Sequence, residues 1–319
     1  MNTMATADAE VSRTEAWLMA ARPQTLPAGG APVVVGTGLA LHANVFAPVA
    51  AIAALLGALL LQVGTNFAND YYDAVKGTDS ADREGFTRVT AGGLIEPARV
   101  KQAMAATYAL AVVVGLYLVY VGGLPILVVG LSSIVAGVAY TGGPYPYGYR
   151  GLGDLFVFLY FGVIAVVGTY YVQAATSLPT VQPLAMGIPE GTVTAAALVA
   201  SLPAAGLSTA ILIANNIRDR EEDADAGKRT LAVMFGYTFS RIEWLAMTGM
   251  AYVVPVLFAL DPAFGLPALA PLVTLPLAVK VGATILDRTD GAALNPALER
   301  TGQLLAAHSA LFAAGLALA

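Results

Sequence analysis

The sequence contains no cysteine, only two histidines and little charge: 12% of its 319 residues are Asp, Glu, Lys or Arg. The missing thiols exclude disulfides, thiolate-held zinc, iron–sulfur clusters and cysteine nucleophiles. His42 and His308 stand singly in apolar stretches, so no histidine-rich metal site can be built from them. Charge at about half of the roughly 25% typical of globular chains cannot wet the surface of a soluble protein of this size. What fills the space is apolar: 57% hydrophobic residues, with a mean hydropathy of +0.71. Several runs reach the ~20 residues that carry a helix across a bilayer. The net charge of −5 argues against a nucleic-acid partner. The composition is that of an all-α, polytopic membrane protein.

Apolar runs divided by polar or Pro/Gly breaks give about nine candidate transmembrane helices. They lie near 26–42, 46–68, 101–121, 124–141, 154–174, 193–215, 242–260, 265–286 and 302–319. Residues 1–16 are polar and acidic, unlike a secretory signal. They read as a frayed N-terminal tail ahead of a single membrane domain, 17–319. With nine spans, all sixteen Lys and Arg fall on, or at the edge of, the side shared by the N-terminus and the loops after spans 2, 4, 6 and 8. Basic residues are retained in the cytoplasm, so the N-terminus and these loops are expected to be cytoplasmic, in the inner or plasma membrane. Every carboxylate except Glu190 and Asp261 lies on the same side. The positive-inside effect does not require that, so clustered acid has a use there.

Two acidic clusters stand out. The first closes the second span and contains Asn69, Asp70, Asp73, Lys76, Gly77, Asp79, Asp82 and Arg83. Asn69 and Asp73, four apart, share one helix face, and Gly77 is a helix stop that lets Asp79 and Asp82 fold back beside it. The second closes the sixth span with Asn215, Asn216, Asp219, Asp223, Lys228 and Arg229. Asp219 and Asp223 again share a face, with Asn215 or Asn216 one turn earlier. Oxygen donors without His or Cys suit a hard cation, Mg²⁺ before zinc or copper. Facing carboxylate pairs repel unless cations sit between them. Magnesium held by one or two carboxylates completes its shell with water and substrate phosphate. Lys76, Arg83, Arg88, Lys228 and Arg229 can meet the remaining phosphate oxygens. The inferred ligand is a phosphate or diphosphate held by Mg²⁺ at the membrane surface. One such run alone would read as a solvated loop; its duplication at matching ends of two spans reads as a site.

Between the clusters, residues 139–154 carry Tyr140, Tyr145, Tyr147, Tyr149 and Arg150 among Pro and Gly. Two readings stand side by side: recognition of an aromatic or anionic substrate or a developing cation, and an interfacial aromatic belt. Arg150 and Asp154 have the spacing of an i,i+4 pair, and Tyr170 and Tyr171 read as belt residues.

The two clusters resemble the paired Asp-rich motifs of the UbiA-type membrane prenyltransferases. Four stretches carry the resemblance: Ala21–Pro27, Asn69–Asp79, Thr90–Ile95, and Asn215–Asp219 with Gly227–Leu231. It extends from about residue 16 to the C-terminus. In the hydroxybenzoate branch the first motif runs Asn-x₃-Asp-x₃-Asp; here its third place is Gly77 and the next acid is Asp79, which favours the naphthoate-type branch and leaves Asp79 and Asp82 as alternatives for completing the metal shell. The resemblance implies helices around a central cavity open to lipid and capped by cytoplasmic loops. It implies that Asn69, Asp73, Asp79, Asn215, Asp219 and Asp223 hold Mg²⁺ on the diphosphate of a polyprenyl donor, with Asp70 and Asp82 as further candidate ligands. Lys76 and Lys228 would neutralise the leaving diphosphate, while Arg22, Arg88, Asn216, Tyr140, Tyr149 and Arg150 are candidate substrate contacts. The implied reaction prenylates 1,4-dihydroxy-2-naphthoate with loss of CO₂ and gives a demethylmenaquinone. Alternatives are another aromatic acceptor (hydroxybenzoate, homogentisate or chlorin) and, from another class, a transporter. Transport sites favour ionisable residues near the bilayer midplane, whereas nearly all the carboxylates here sit at helix ends.

Overall fold

A computed structural model describes residues 11–77, 88–178 and 183–319. Among them there is no strand. The helices are α1 (Arg13–Ala21), α2 (Leu26–His42), α3 (Pro48–Lys76), α4 (Pro97–Ala139), α5 (Gly153–Phe158), α6 (Ala165–Ser177), α7 (Ala195–Arg218), α8 (Arg220–Asp225), α9 (Leu231–Leu260), α10 (Leu275–Asp287) and α11 (Gly291–Ala317). Short 3₁₀ segments precede α2, α5 and α10, and a π-helical stretch, Leu159–Ile164, joins α5 to α6. Among the described residues six helices are long and apolar enough to cross a membrane: α3, α4, the continuous 153–177 unit, α7, α9 and the 266–287 unit.

All nine expected intervals fall on helix. The two runs expected at 101–121 and 124–141 are two helical segments that meet without an intervening loop at Gly123, within Pro97–Ala139, α4. It bends at Gly123, whose backbone (φ 69°, ψ −157°) is open to glycine alone. α3 continues to Lys76, past the apolar run, until Gly77 caps it in the left-handed conformation at φ 68°. The expected N-terminal tail is already helical at Arg13. Ser12 caps α1 by accepting from the Glu15 N–H at 3.2 Å, and Trp17 packs edge-on against Phe67 with ring centroids 5.9 Å apart.

With so few charges, small residues set the packing. α7 is buried along most of its length. Ala205 on α7 lies directly against Gly162, and Gly206 lies against the Met247 carbonyl of α9; a Cβ at either glycine would collide. Gly36 meets α6 and Gly38 meets Ala313 of α11 in the same way. Close backbone approach through Gly and Ala is how helices gain dispersion contact where lipid competes for apolar surface. Tyr170 and Tyr171 are buried rather than belt residues. The Tyr171 hydroxyl donates to the Gly122 carbonyl at 2.6 Å and so ties α6 to the bend in α4. His308 is also internal and structural, with Nε2 at 2.9 Å from the Ala251 carbonyl.

Candidate active site

The C-terminal ends of α3, α4 and α7 and the start of α5 gather at one end of the bundle, so the two acidic clusters, far apart in sequence, become neighbours. Tyr149 is the link. Its hydroxyl donates to Asp73 Oδ1. Two ammonium groups lie over its ring, Lys76 Nζ at 5.3 Å and Lys228 Nζ at 5.2 Å from the centroid. Lys228 in turn pairs with Asp223 at 3.1 Å. The backbone fixes the same junction, since the Arg229 N–H donates to the Tyr149 carbonyl at 2.8 Å.

Around this link each side chain has a defined partner. Arg88 lies 3.5 Å from Asp73. Asn69 Oδ1 accepts from Thr141 Oγ1 at 3.1 Å, so Asn69 and Asp73 both face the 140–150 loop, as their spacing predicts. Lys76 turns onto the Thr141 carbonyl at 2.5 Å and the Gly143 carbonyl at 3.3 Å. In the second cluster Asp223 follows Asp219 by one turn, its N–H donating to the Asp219 carbonyl at 2.7 Å. Asp219 is held by Arg218 through Nε–Oδ1 at 2.6 Å and Nη2–Oδ2 at 2.9 Å. Arg218 also reaches Asn215 and Asn295, each at 2.8 Å. Arg88, Arg218 and Lys228 thus place positive charge beside Asp73, Asp219 and Asp223.

Below the cluster runs a cavity of about 440 Å³. Arg22, Asn66, Asn69, Arg88, Tyr140 and Asn215 line its polar mouth; of the two asparagines at the end of α7, only Asn215 reaches it. On α3 the lining descends from Asn69 to Ala54, about 22 Å at the helical rise. Its wall includes Val112, Leu116, Leu127 and Leu131, whose side chains are also exposed on the outer surface of α4. The cavity therefore opens sideways through the α4 wall toward lipid. An aromatic series borders it: Tyr140 edge-on to Tyr147 at 5.4 Å, Tyr147 stacked on Phe156 at 4.0 Å, and Phe156 stacked on Tyr160 at 6.0 Å. Burial, reinforced by the charges of Asp154, Asp223 and Asp73, pushes the Tyr140 hydroxyl well above its ordinary pKa. Tyr140 thus keeps its proton.

Several expected placements change. Asp70, which like Asp73, Asp219 and Asp223 does not line the cavity wall, accepts from Thr90 N–H at 3.2 Å and from the Thr90 hydroxyl, anchoring the 88–96 loop. Asn69 and Asp70 are about 100° apart on the helix, so they meet different loops, at Thr141 and Thr90. Arg150 and Asp154 do not pair: Gly151 is left-handed (φ 72°) and α5 begins only at Gly153, so no common helix carries both. Arg150 stacks on Tyr145 at 3.9 Å, and Asp154 is buried. Asp79, Asp82 and Arg83 lie outside the described residues. Among the described residues no three Asp, Glu or His side chains converge to hold a metal by themselves. Residues with no motif to announce them include Gln62, Thr141 and Asn295; a lone amide within the apolar run of the second span was the available signal for Gln62.

A lipid-open helical cavity with an acid-and-base mouth defines a membrane-embedded enzyme for an amphiphile with an anionic head. The UbiA prenyltransferase family model matches residues 30–311, and the chain belongs to this family. It is 38% identical over 314 residues to 1,4-dihydroxy-2-naphthoate octaprenyltransferase of Escherichia coli strain K12, covering 96% of each chain. It is 36% identical over 303 residues to the Mycobacterium tuberculosis protein of the same name, covering 94% of this chain and 96% of that one. Among solved structures, the apo UbiA homolog from Aeropyrum pernix K1 superposes with a TM-score of 0.67 at 15% identity, covering 92% of this chain and 97% of that one. The UbiA homolog from Archaeoglobus fulgidus bound to DMAPP and Mg²⁺ gives 0.60 at 17% identity, covering 93% and 98%. These two share the fold.

Proposed function

We propose that the protein transfers a polyprenyl group from polyprenyl diphosphate to 1,4-dihydroxy-2-naphthoate, with loss of CO₂ and diphosphate, at the cytoplasmic face of the inner membrane. The observation that carries this reading is the convergence of both clusters on Tyr149 above a lipid-open cavity. Full-length similarity to two naphthoate octaprenyltransferases supports the acceptor.

The donor set fits magnesium: all its ligand atoms are oxygens, and no closed cage of three carboxylates forms among the described residues, as suits an ion that borrows substrate phosphate. Asn69, Asp73, Asn215, Asp219 and Asp223, with Asp79 or Asp82, would hold it. Bound there, Mg²⁺ supplies positive charge to the departing diphosphate. The chain does the rest. Arg22, Arg88, Lys76 and Lys228 meet phosphate oxygens not taken by the metal. The C–O bond of the donor breaks, and the Tyr140–Tyr147–Phe156–Tyr160 wall offers ring faces to the allylic cation. The electron-rich acceptor ring forms the new C–C bond and its carboxylate leaves as CO₂, the electron pair of the broken C–C bond returning to the ring. The net exchange is carboxylate for prenyl, with no net loss of a proton. With no oxidant involved, the immediate product is the hydroquinone form of a demethylmenaquinone. The apolar cavity takes the tail, which passes from one apolar medium, the lipid, to another and so needs little driving force.

Chelation is the direct test of the metal. EDTA in excess is expected to abolish transfer and Mg²⁺ to restore it; undiminished activity in EDTA overturns the metal assignment. Orientation is tested on a sequence that lacks cysteine. An Ala224→Cys variant is expected to react with an impermeant maleimide only from the cytoplasmic side, and labelling from outside reverses the topology. Tail placement is tested at Gly130, which lines the cavity with nothing within 4 Å of where a Cβ would sit. It lies about 15 Å along α4 from Tyr140. Gly130→Phe is expected to spare transfer from geranyl diphosphate and to depress transfer from octaprenyl diphosphate at least ~10-fold. An unchanged ratio places the tail elsewhere.

A further inference from the structure

Hydrogen-bond chemistry fixes every amide between the start of α2 and the middle of α3. The Thr25 hydroxyl donates its one proton to the Arg22 carbonyl at 2.9 Å. Toward Gln62 and Asn66 it can therefore only accept, and their amide nitrogens lie at 2.9 Å each. The Asn66 nitrogen also donates to the Ala21 carbonyl at 2.9 Å. That orientation turns Asn66 Oδ1 toward Gln62 Nε2 at 3.4 Å, again as an acceptor. Both protons of the Gln62 amide are thus directed at oxygens. Flipping that amide would set its oxygen against two atoms that have no proton to give.

The result is a lone acceptor. Gln62 Oε1 is buried with no hydrogen-bond partner among the described residues. The residue is 6% exposed and lines the cavity. An unmet buried carbonyl costs about 1–3 kcal/mol, which a ligand with a hydrogen-bond donor would remove. Two substrates meet in this cavity if it performs the prenyl transfer proposed above. The prenyl donor has no O–H or N–H in its tail, and its diphosphate offers acceptors. The aromatic acceptor carries hydroxyls. Gln62 lies two turns below Asn69 on α3, about 10 Å toward the membrane interior, beneath the diphosphate and on the route of the allylic carbon.

We propose that Gln62 Oε1 accepts a hydrogen bond from a ring hydroxyl of the aromatic acceptor, with Thr25 and Asn66 holding the amide in that orientation. This makes Gln62 a residue that selects hydroxylated aromatic acceptors, and the inference rests on the prenyl-transfer reading. A site built to hydrogen-bond a hydroxyl rejects the analogue that lacks it, because the protein group is then left unpaired.

The test uses the two monohydroxy-2-naphthoates, each lacking one hydroxyl, as competitive inhibitors of the wild type and of Gln62→Met in liposomes. Inhibition constants report binding without the change in ring reactivity. For the wild type, one deoxy analogue is expected to bind roughly 10-fold more weakly than dihydroxynaphthoate. In Gln62→Met the acceptor KM is expected to rise by about the same factor, the penalty for that analogue to disappear, and the donor KM to move less than about twofold. Equal wild-type affinity for all three naphthoates overturns the inference without any variant, so it stays testable even if Gln62→Met does not fold. A raised donor KM with unchanged acceptor binding also overturns it. Wild-type protein that prenylates no naphthoate at all refutes the functional reading, a distinct result.

Discussion

Asp73→Asn is expected to lower kcat for prenyl transfer by at least about 10²-fold, the scale of removing one charge-stabilising group from a transition state. Asp73 is the point at which the two clusters meet: it accepts from Tyr149 and lies 3.5 Å from Arg88. Asparagine keeps the shape and an oxygen for the Tyr149 hydroxyl to donate to, so the link to the second cluster persists. What disappears is the negative charge that opposes Arg88 and that, in the proposed function, would help hold Mg²⁺. The expected signature is lost turnover in a protein that unfolds within a few degrees of the wild type in detergent. Turnover near the wild-type level would remove Asp73 from the machinery.

Arg218→Met is expected to act on stability instead. The Arg218 and Asp219 side chains are each 2% exposed, and Arg218 also joins Asn215 to Asn295. Removing one partner of a buried pair leaves a charge in a medium that cannot solvate it, a loss of about 3–5 kcal/mol. For a chain of this size that is a fall in unfolding temperature on the order of 5–10 °C. Arg218→Lys is expected to recover little, because one ammonium cannot reproduce the planar fork that serves three partners. Asp219→Asn in the Arg218→Met background is expected to recover part of the loss by removing the stranded charge. Thermal unfolding of all four proteins checks this; an unchanged midpoint in Arg218→Met contradicts the buried-pair account.

Much of this architecture was legible in the sequence because apolar runs and helix stops are local. Gly77 ends α3 where its residue type says it should. The Asn69–Asp73 spacing puts both side chains toward one loop because helical geometry depends on no distant contact. Charge patterning also assigned the clusters correctly to one end of the bundle. What the pattern could not carry was tertiary. Asp70 belongs to the same acidic run as Asp73, yet Thr90 takes its carboxylate. Arg150 and Asp154 have helical spacing, but Gly151 breaks the helix between them. The early start of α9 at Leu231 was hidden because 231–241 mixes polar and apolar residues and bends at Gly236. Tyr149 stood among four loop tyrosines, and only the fold brings both Lys76 and Lys228 to its ring.

The central claim is that one mouth, built from both clusters, joins a polyprenyl diphosphate to a hydroxylated naphthoate. The most direct measurement incubates the purified protein in liposomes with Mg²⁺, octaprenyl diphosphate and, separately, dihydroxynaphthoate, 4-hydroxybenzoate and homogentisate, and identifies products by mass spectrometry. The account predicts a prenylated, decarboxylated naphthalenediol from the first acceptor, with matching release of diphosphate and CO₂, and little or no product from the others. Prenylated hydroxybenzoate or homogentisate with no naphthalene product would contradict it.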